Sequence, residues 1–348
     1  MRPVSFLSSM VPRIPSHAAV LALLACLVLT APGYSAEPVE ELGIRLEKYE
    51  YPFAVQWYKP TIAGRTYEMA YMDVAPAGEA TGTVVLLHGK NFSGAYWERT
   101  AKALRDAGFR VIIPDQIGFG KSSKPTDFQY SFAGLAATTH GLLQELKIER
   151  ATILGHSMGG MLAARFAIMY PQMTEKLVLL NPIGLEDWSQ KGVPYRGIDA
   201  WYQRELSKTA AGIKSYQLAS YYDGVWKPEY QPWVDLLAGM SMGKDYPQLA
   251  LVQAQTYDMI YSQPVVHDFG RIKSPTLLII GARDRTALGK DLVTPELRAQ
   301  LGLYQELGKD AAQRIAGSKL VLLDGIGHLP HIESYDPFIT SLLSFLQD

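Results

Sequence analysis

Ala151-Thr-Ile-Leu-Gly155-His-Ser157-Met-Gly159-Gly160 is an apolar run that enters a turn of small residues with a serine at its centre. The spacing is G-x-S-x-G, the pattern of a nucleophile carried on a sharp strand-to-helix turn. Such a turn leaves almost no room for a side chain two residues before the serine or two after it, where Gly155 and Gly159 stand. Residues 161–170 lack Gly and Pro and are expected to be helical, so that a helix N-terminus opens at Ser157 and favours negative charge developing there.

Outward from this stretch the same alternation recurs. Thr83-Val-Val-Leu-Leu-His88 reads as a buried parallel strand, followed by a glycine turn and a helix over 95–107. Strand 109–113, helix 132–146 and strand 176–180 continue the series, and residues 53–58 and 66–74 form a leading pair of strands. Between Ile183 and Asp268 an aromatic-rich stretch interrupts the alternation, which resumes at Pro275-Thr-Leu-Leu-Ile-Ile-Gly281 and ends with strand 319–324 and a helix from about Asp336. The expected class is α/β, with a mostly parallel central sheet, helices on both faces and an inserted helical cap. Residues 1–36 are expected to be a signal peptide, 37–182 and 269–348 the two parts of the core, and 183–268 the cap. The acidic stretch 37–50 is expected to be loose. Most aromatics of the insertion are expected to form its own core, with a few facing a pocket above Ser157.

A serine hydroxyl is a poor nucleophile at neutral pH and needs a base that is itself held by an acid. His328, after Gly325-Ile-Gly327 at a strand end, is the candidate base. Asp284, in Gly281-Ala-Arg-Asp284 after the preceding strand, is the candidate acid, with Glu186 and Asp187 in reserve. The order Ser157, Asp284, His328 is one of the known triad orders. The oxyanion formed by attack needs donors: the backbone N–H of Met158 and, from the turn Gly89-Lys90-Asn91, that of Lys90, with Asn91 as the alternative. The Lys90 side chain is expected to face solvent, the alternative being that it adds positive charge beside the oxyanion. His88 reads as a hydrogen-bonding buttress and His156 as a spacer in the elbow. Gly118-Phe-Gly-Lys-Ser-Ser resembles the end of a phosphate loop but has Asp115 where that loop needs glycine. His328 and His331 lack an H-E-x-x-H frame and a third ligand, so no metal and no cofactor is expected.

Composition sets the outer bounds. A chain of 348 residues, 48% hydrophobic and 19% charged, suits two average domains or one large α/β domain with an insertion equally well. A formal net charge of -1, without long runs of like charge, gives no electrostatic reason for a nucleic-acid or anionic-membrane partner, and a small apolar ligand is the default. Arg2 and Arg13, the apolar run from Ala18 to Leu29 and the lack of any acidic residue before Glu37 have the layout of a secretory signal peptide. The run falls short of the ~20 residues of a spanning helix, so no stable membrane insertion is expected after cleavage near Ala36. Cys26, the one cysteine, lies in that leader, so the mature chain would carry no thiolate or disulfide. The expected location is periplasmic or secreted.

His88-Gly89-Lys90-Asn91, Asp115-Gln-Ile-Gly118-Phe-Gly120-Lys-Ser122, Gly155-His-Ser157-Met-Gly159, Gly281-Ala-Arg-Asp284 and Gly327-His328 together resemble the motif series of the α/β-hydrolase superfamily, from Thr83 onward. By motif the nearest branch is the capped group of esterases, cofactor-free haloperoxidases, epoxide hydrolases, haloalkane dehalogenases and carbon–carbon bond hydrolases. The resemblance implies the α/β-hydrolase fold, with Ser157 as nucleophile, Asp284 as acid, His328 as base and the Lys90 and Met158 amides as oxyanion donors. Serine argues against the epoxide hydrolases and dehalogenases, which use aspartate. Lys90-Asn91 departs from the aromatic and proline that many relatives carry there. The expected function is cleavage of carboxylic esters, or of lactones or thioesters, of an apolar substrate through an acyl-enzyme. Carbon–carbon bond hydrolysis is the enzymatic alternative. A binding protein that keeps the pocket without turnover, or a partner-binding cap, stands outside catalysis.

Overall fold

The computed structural model describes residues 39–348, and the expected signal peptide with Cys26 lies outside the described residues. Eight strands form one sheet: β1 (Val55–Tyr58), β4 (Met69–Val74), β5 (Gly82–Leu87), β6 (Phe109–Pro114), β7 (Ala151–His156), β8 (Thr174–Leu180), β9 (Thr276–Gly281) and β10 (Lys319–Leu323). A hairpin of β2 (Thr61–Ile62) and β3 (Arg65–Thr66) joins the first two. The order is β1-β4-β6-β5-β7-β8-β9-β10. Strands β5 to β10 run parallel, and β4 is antiparallel to both β6 and β1. This is the α/β-hydrolase fold expected from the sequence.

The continuous apolar runs arise because the sheet is covered twice. Along β5, Val85 and Leu87 join a cluster with Leu135 and Leu162, whereas Val84 and Leu86 join a second with Trp97, Leu104 and Phe338. Alternate side chains of a strand point to opposite faces, so a strand buried on both must be apolar throughout. The first cluster takes in α2 (Phe132–Glu145) and α3 (Met158–Met169), the second α1 (Glu98–Asp106) and α11 (Tyr335–Gln347). Ser131 caps α2 by accepting from Gly134 N–H at 3.0 Å. From β5 the chain moves outward to β6, then returns to place β7 on the other side of β5. That reversal opens a crevice beyond the carboxyl ends of β5 and β7, the general ligand position in such sheets.

Neighbours β8 and β9 are separated by residues 181–275, which hold α4 (Ile198–Leu206), α5 (Ala210–Ser220), α6 (Gln231–Ser241) and α7 (Tyr246–Ser262). Within it Tyr222 stacks on Tyr230 at 3.6 Å, with Trp226 edge-on to both. Between β9 and β10 lie α8 (Pro295–Ala299) and α9 (Tyr304–Arg314), and a single turn, α10 (Pro330–Glu333), precedes α11.

Two expectations need correction. The second leading strand starts at Met69, because Arg65 and Thr66 belong to the small hairpin. The acidic stretch is not loose where it is described: Leu42 and Leu46 are buried, and Leu42 N–H donates to the Gly239 carbonyl of α6 at 3.0 Å. No helix among the described residues is long and apolar enough to cross a membrane.

Candidate active site

Ser157 stands between β7 and α3 with φ 58° and ψ −122°, in the left-handed half of backbone space that a side chain disfavours. Such strain, about 1–3 kcal/mol, persists only where the surroundings enforce it. The enforcement is steric: a Cβ on Gly155 would run into the Gly159 carbonyl, and one on Gly159 into the Leu87 carbonyl at the end of β5.

The sheet brings the three candidate residues together. Ser157 Oγ lies 2.9 Å from His328 Nε2, and His328 Nδ1 lies 2.6 Å from Asp284 Oδ2. An ionised carboxylate can only accept, so Nδ1 carries the ring proton and Nε2 is left to accept from the Ser157 hydroxyl. Asp284 is fully buried, which opposes its ionisation. The neighbouring His328, the Thr286 N–H at 2.8 Å and the Asn181 amide at 2.9 Å outweigh that and hold its carboxyl below the usual range. The reserve acids sit elsewhere. Glu186 accepts from Trp188 Nε1, Lys191 Nζ and Gly302 N–H, and Asp187 pairs with His267.

The turn after β5 packs against the serine, since a Cβ on Gly89 would meet Ser157 Cβ at 3.1 Å. Lys90 and Asn91 line the same cavity as Ser157. Met158 opens α3, where the first N–H groups have no intrahelical partner. The Lys90 side chain does not face solvent, which corrects the simpler expectation. Lys90 is buried, with Nζ donating to Gln253 Oε1 of α7 at 2.6 Å and lying 3.6 Å from the Tyr257 ring centre. Burial lowers its pKa to about 7, partly offset by Glu205.

Three supporting residues carried no role in the sequence. Asn181, at the end of β8, donates to Asp284 and accepts from Gly281 N–H, tying the acid to two strand ends. His156, read as a spacer, donates from Nε2 to the His328 carbonyl at 2.8 Å and accepts at Nδ1 from Tyr96 O–H at 3.0 Å. Tyr96 in turn accepts from Gly89 N–H at 2.9 Å. A carbonyl cannot donate, so each proton in this chain is assigned, and burial keeps His156 neutral. His88, read from the sequence as a hydrogen-bonding buttress, does bridge Gly89 O and Gln116 N–H beneath the turn. The signal that finds Asn181 is its position, a polar residue just past the carboxyl end of a sheet strand.

The cavity at Ser157 is walled by Ile183, Trp188, Tyr216, Tyr221, Tyr257 and Leu288. Tyr221 stacks over the His328 ring at 4.9 Å and accepts from Asn91 Nδ2 at 3.1 Å. The arrangement offers a serine hydrogen-bonded to an imidazole that is itself held by a carboxylate, beside a largely apolar cavity.

Residues 82–335 match the family described as the alpha/beta hydrolase fold. The crystal structure of a probable hydrolytic enzyme from Pseudomonas aeruginosa PAO1 is 51% identical, with a TM-score of 0.88, covering 89% of this chain and 99% of that one. A 2-hydroxy-6-oxononadienedioate/2-hydroxy-6-oxononatrienedioate hydrolase of Comamonas testosteroni is 35% identical over 68% of this chain and 84% of its own length. A putative non-heme chloroperoxidase of Synechocystis is 28% identical over 81% and 96%.

Proposed function

We propose, on the premise that this chain belongs to the alpha/beta hydrolase family, that it hydrolyses carboxylic esters, or lactones or thioesters, of apolar substrates through an acyl-enzyme on Ser157. The observation that carries the reading is the unbroken line from Ser157 Oγ through His328 to Asp284 in an apolar cavity. His328 takes the serine proton as Oγ attacks the carbonyl, and Asp284 stabilises the imidazolium that results. The Lys90 and Met158 amides receive the oxyanion, each such donor being worth about 3–4 kcal/mol in the transition state. His328 then protonates the leaving group and activates the water that releases the acid. Residues 183–268 act as the cap, with Tyr216, Tyr221 and Tyr257 excluding water from the acyl group. Export follows from the leader, and N-terminal sequencing of the mature protein recovered outside the cytoplasm tests it.

A fluorophosphonate probe followed by peptide mass spectrometry tests the chemistry. Labelling at Ser157 that is lost in His328→Ala supports an activated serine. Folded protein that takes no label gives way to the binding-protein reading. Carbon–carbon bond hydrolysis beside a ketone is the second reading, favoured by the Comamonas relative, whose named substrates carry a 6-oxo group. Side-by-side turnover of aryl esters and 6-oxo dienoates separates the two.

A further inference from the structure

Beyond the Ser157 cavity lies a wider chamber that shares Asn91, Tyr216, Tyr257 and Leu288 with it as common walls. A molecule with its carbonyl at Ser157 and a chain of some length extends into this chamber. Its remaining walls are unlike the apolar inner cavity. Arg204, Lys208, Arg285 and Lys290 line it, against Asp291 as the one acidic lining residue. The Asp291 carboxylate is already engaged by both Arg196 and Arg204, and Lys208 is paired with Glu205. Arg285 and Lys290 donate to backbone carbonyls alone: Arg285 to Ala282 O and Asp284 O, Lys290 to Arg285 O at 2.5 Å. Neither cation forms a direct ion pair with a carboxylate among the described residues, and Asp284 and Glu186 act on Lys290 only at longer range.

A second observation points the same way. Gln217 of α5 lines the chamber and is only 1% exposed, yet neither its amide oxygen nor its amide nitrogen has a partner among the described residues. Solvated surface cations explain a charged rim but not a buried amide with both ends unmatched, since the large majority of buried side-chain polar atoms have a partner. Away from the chamber, His331 is the other buried side chain among the described residues with both ends unmatched.

We propose that this outer chamber is a subsite for an anionic group on the substrate, a carboxylate at the far end of the molecule, seated on Lys290 and Arg285 with the Gln217 amide beside it. The proposal rests on Ser157 as the reacting centre and narrows the substrate class from apolar esters to esters with an apolar middle and a charged end. The apolar walls take the chain, and the cations take its terminus. Ion pairing across a partly open chamber contributes mainly to binding and weakens as salt is added.

The test compares p-nitrophenyl half-esters of linear dicarboxylic acids of increasing length with the same esters capped as methyl esters and with phosphate-terminated counterparts. At the best length the carboxylate ester is expected to exceed its capped partner about tenfold or more in kcat/KM. The difference should be carried by KM and shrink with added salt. That ratio should fall towards one in Lys290→Met and return in Lys290→Arg, a pattern general damage to the fold would not give. A wild-type ratio at or below one at every length, or a ratio unchanged in Lys290→Met, overturns the subsite. A larger gain for phosphate overturns the choice of carboxylate. If no ester is turned over, the Ser157 reading has failed instead. Calorimetry of the half-amide analogues on wild type and Lys290→Met then decides alone, weaker binding in the variant supporting the subsite and absence of binding overturning it.

Discussion

At Asp284 and Lys90 the same physical force, burial, acts on opposite charges and is answered differently. Asp284 has three partners that favour its ionised form, so it remains a carboxylate able to hold the His328 tautomer. Asp284→Asn is therefore expected to lower kcat by about 10³–10⁴-fold while leaving KM nearly unchanged, measured as steady-state ester turnover. Lys90 has one neutral partner and a ring face, and its pKa falls from the usual 10.5 to about 7. Between those values the unfolded chain binds the proton and the folded chain does not, so stability rises with pH across that window and the full cost of the buried charge is felt below it. Lys90→Met is expected to stabilise the protein at pH 6 by roughly 1–3 kcal/mol, after loss of the Gln253 bond, and to flatten the rise towards pH 10. Urea midpoints at several pH values check this. Lys124, buried with a pKa also near 7, contributes to the same window in both proteins, so the difference between them isolates Lys90. Residue types and strand ends made the triad legible, because each member sits where a sheet strand stops. The burial of Lys90 was not legible, since it depends on Gln253 and Tyr257, which arrive from α7 far along the chain.

Elements act here through their ends. The chain Gly89 N–H to Tyr96 to His156 to the His328 carbonyl links the turn after β5 to the loop after β10, passing under the serine elbow. These loops carry the proposed oxyanion donor and base, so their separation is fixed by two side chains rather than by sheet geometry alone. Tyr96→Phe keeps the ring that stacks on Phe92 at 4.8 Å but removes the hydroxyl, leaving a backbone N–H and an imidazole nitrogen unmatched in the interior. The expected result is about a tenfold loss in kcat with KM moved less than about twofold, together with slower fluorophosphonate labelling. Unchanged labelling would confine the network to stability. The strands were legible because burial on both faces demands unbroken apolar runs such as Val84 to Leu87. Helix α9 was not read, although Tyr304, Gly308 and Ala311 recur at helical spacing, because a glycine breaks the apolar face they form and charged residues such as Glu306, Lys309, Asp310 and Arg314 surround it.

For the molecule as a whole, the question is what holds the helices of residues 198–262 against the sheet when their own chain connections lie at β8 and β9. Part of the answer is the stretch from Val39 to Tyr51, whose charge hid its role in the sequence. Its backbone bonds α6 at Gly239, where a Cβ would collide with the Glu40 carbonyl. Its other end grips the core loop that follows β6: Arg45 donates to the Lys121 carbonyl at 2.9 Å, Lys121 Nζ donates to the Leu46 carbonyl at 2.5 Å, and Tyr51 O–H donates to Asp115 at 2.6 Å. Asp115 also anchors Gly94 N–H and Lys121 N–H, so the strap is tied to the frame of the site. Leu46 is the fully buried side chain of this segment, and Leu46→Ala is expected to remove about 2–4 kcal/mol through the cavity it leaves. The strap bridges two parts rather than completing either core, so the loss should appear as local opening. Hydrogen exchange in α6 should quicken well before that in β7 and β8. With the helices loosened, KM for long-chain esters should rise more than KM for short ones, whose contacts end at Ser157. Uniform acceleration of exchange across sheet and helices would instead make the strap part of the global core.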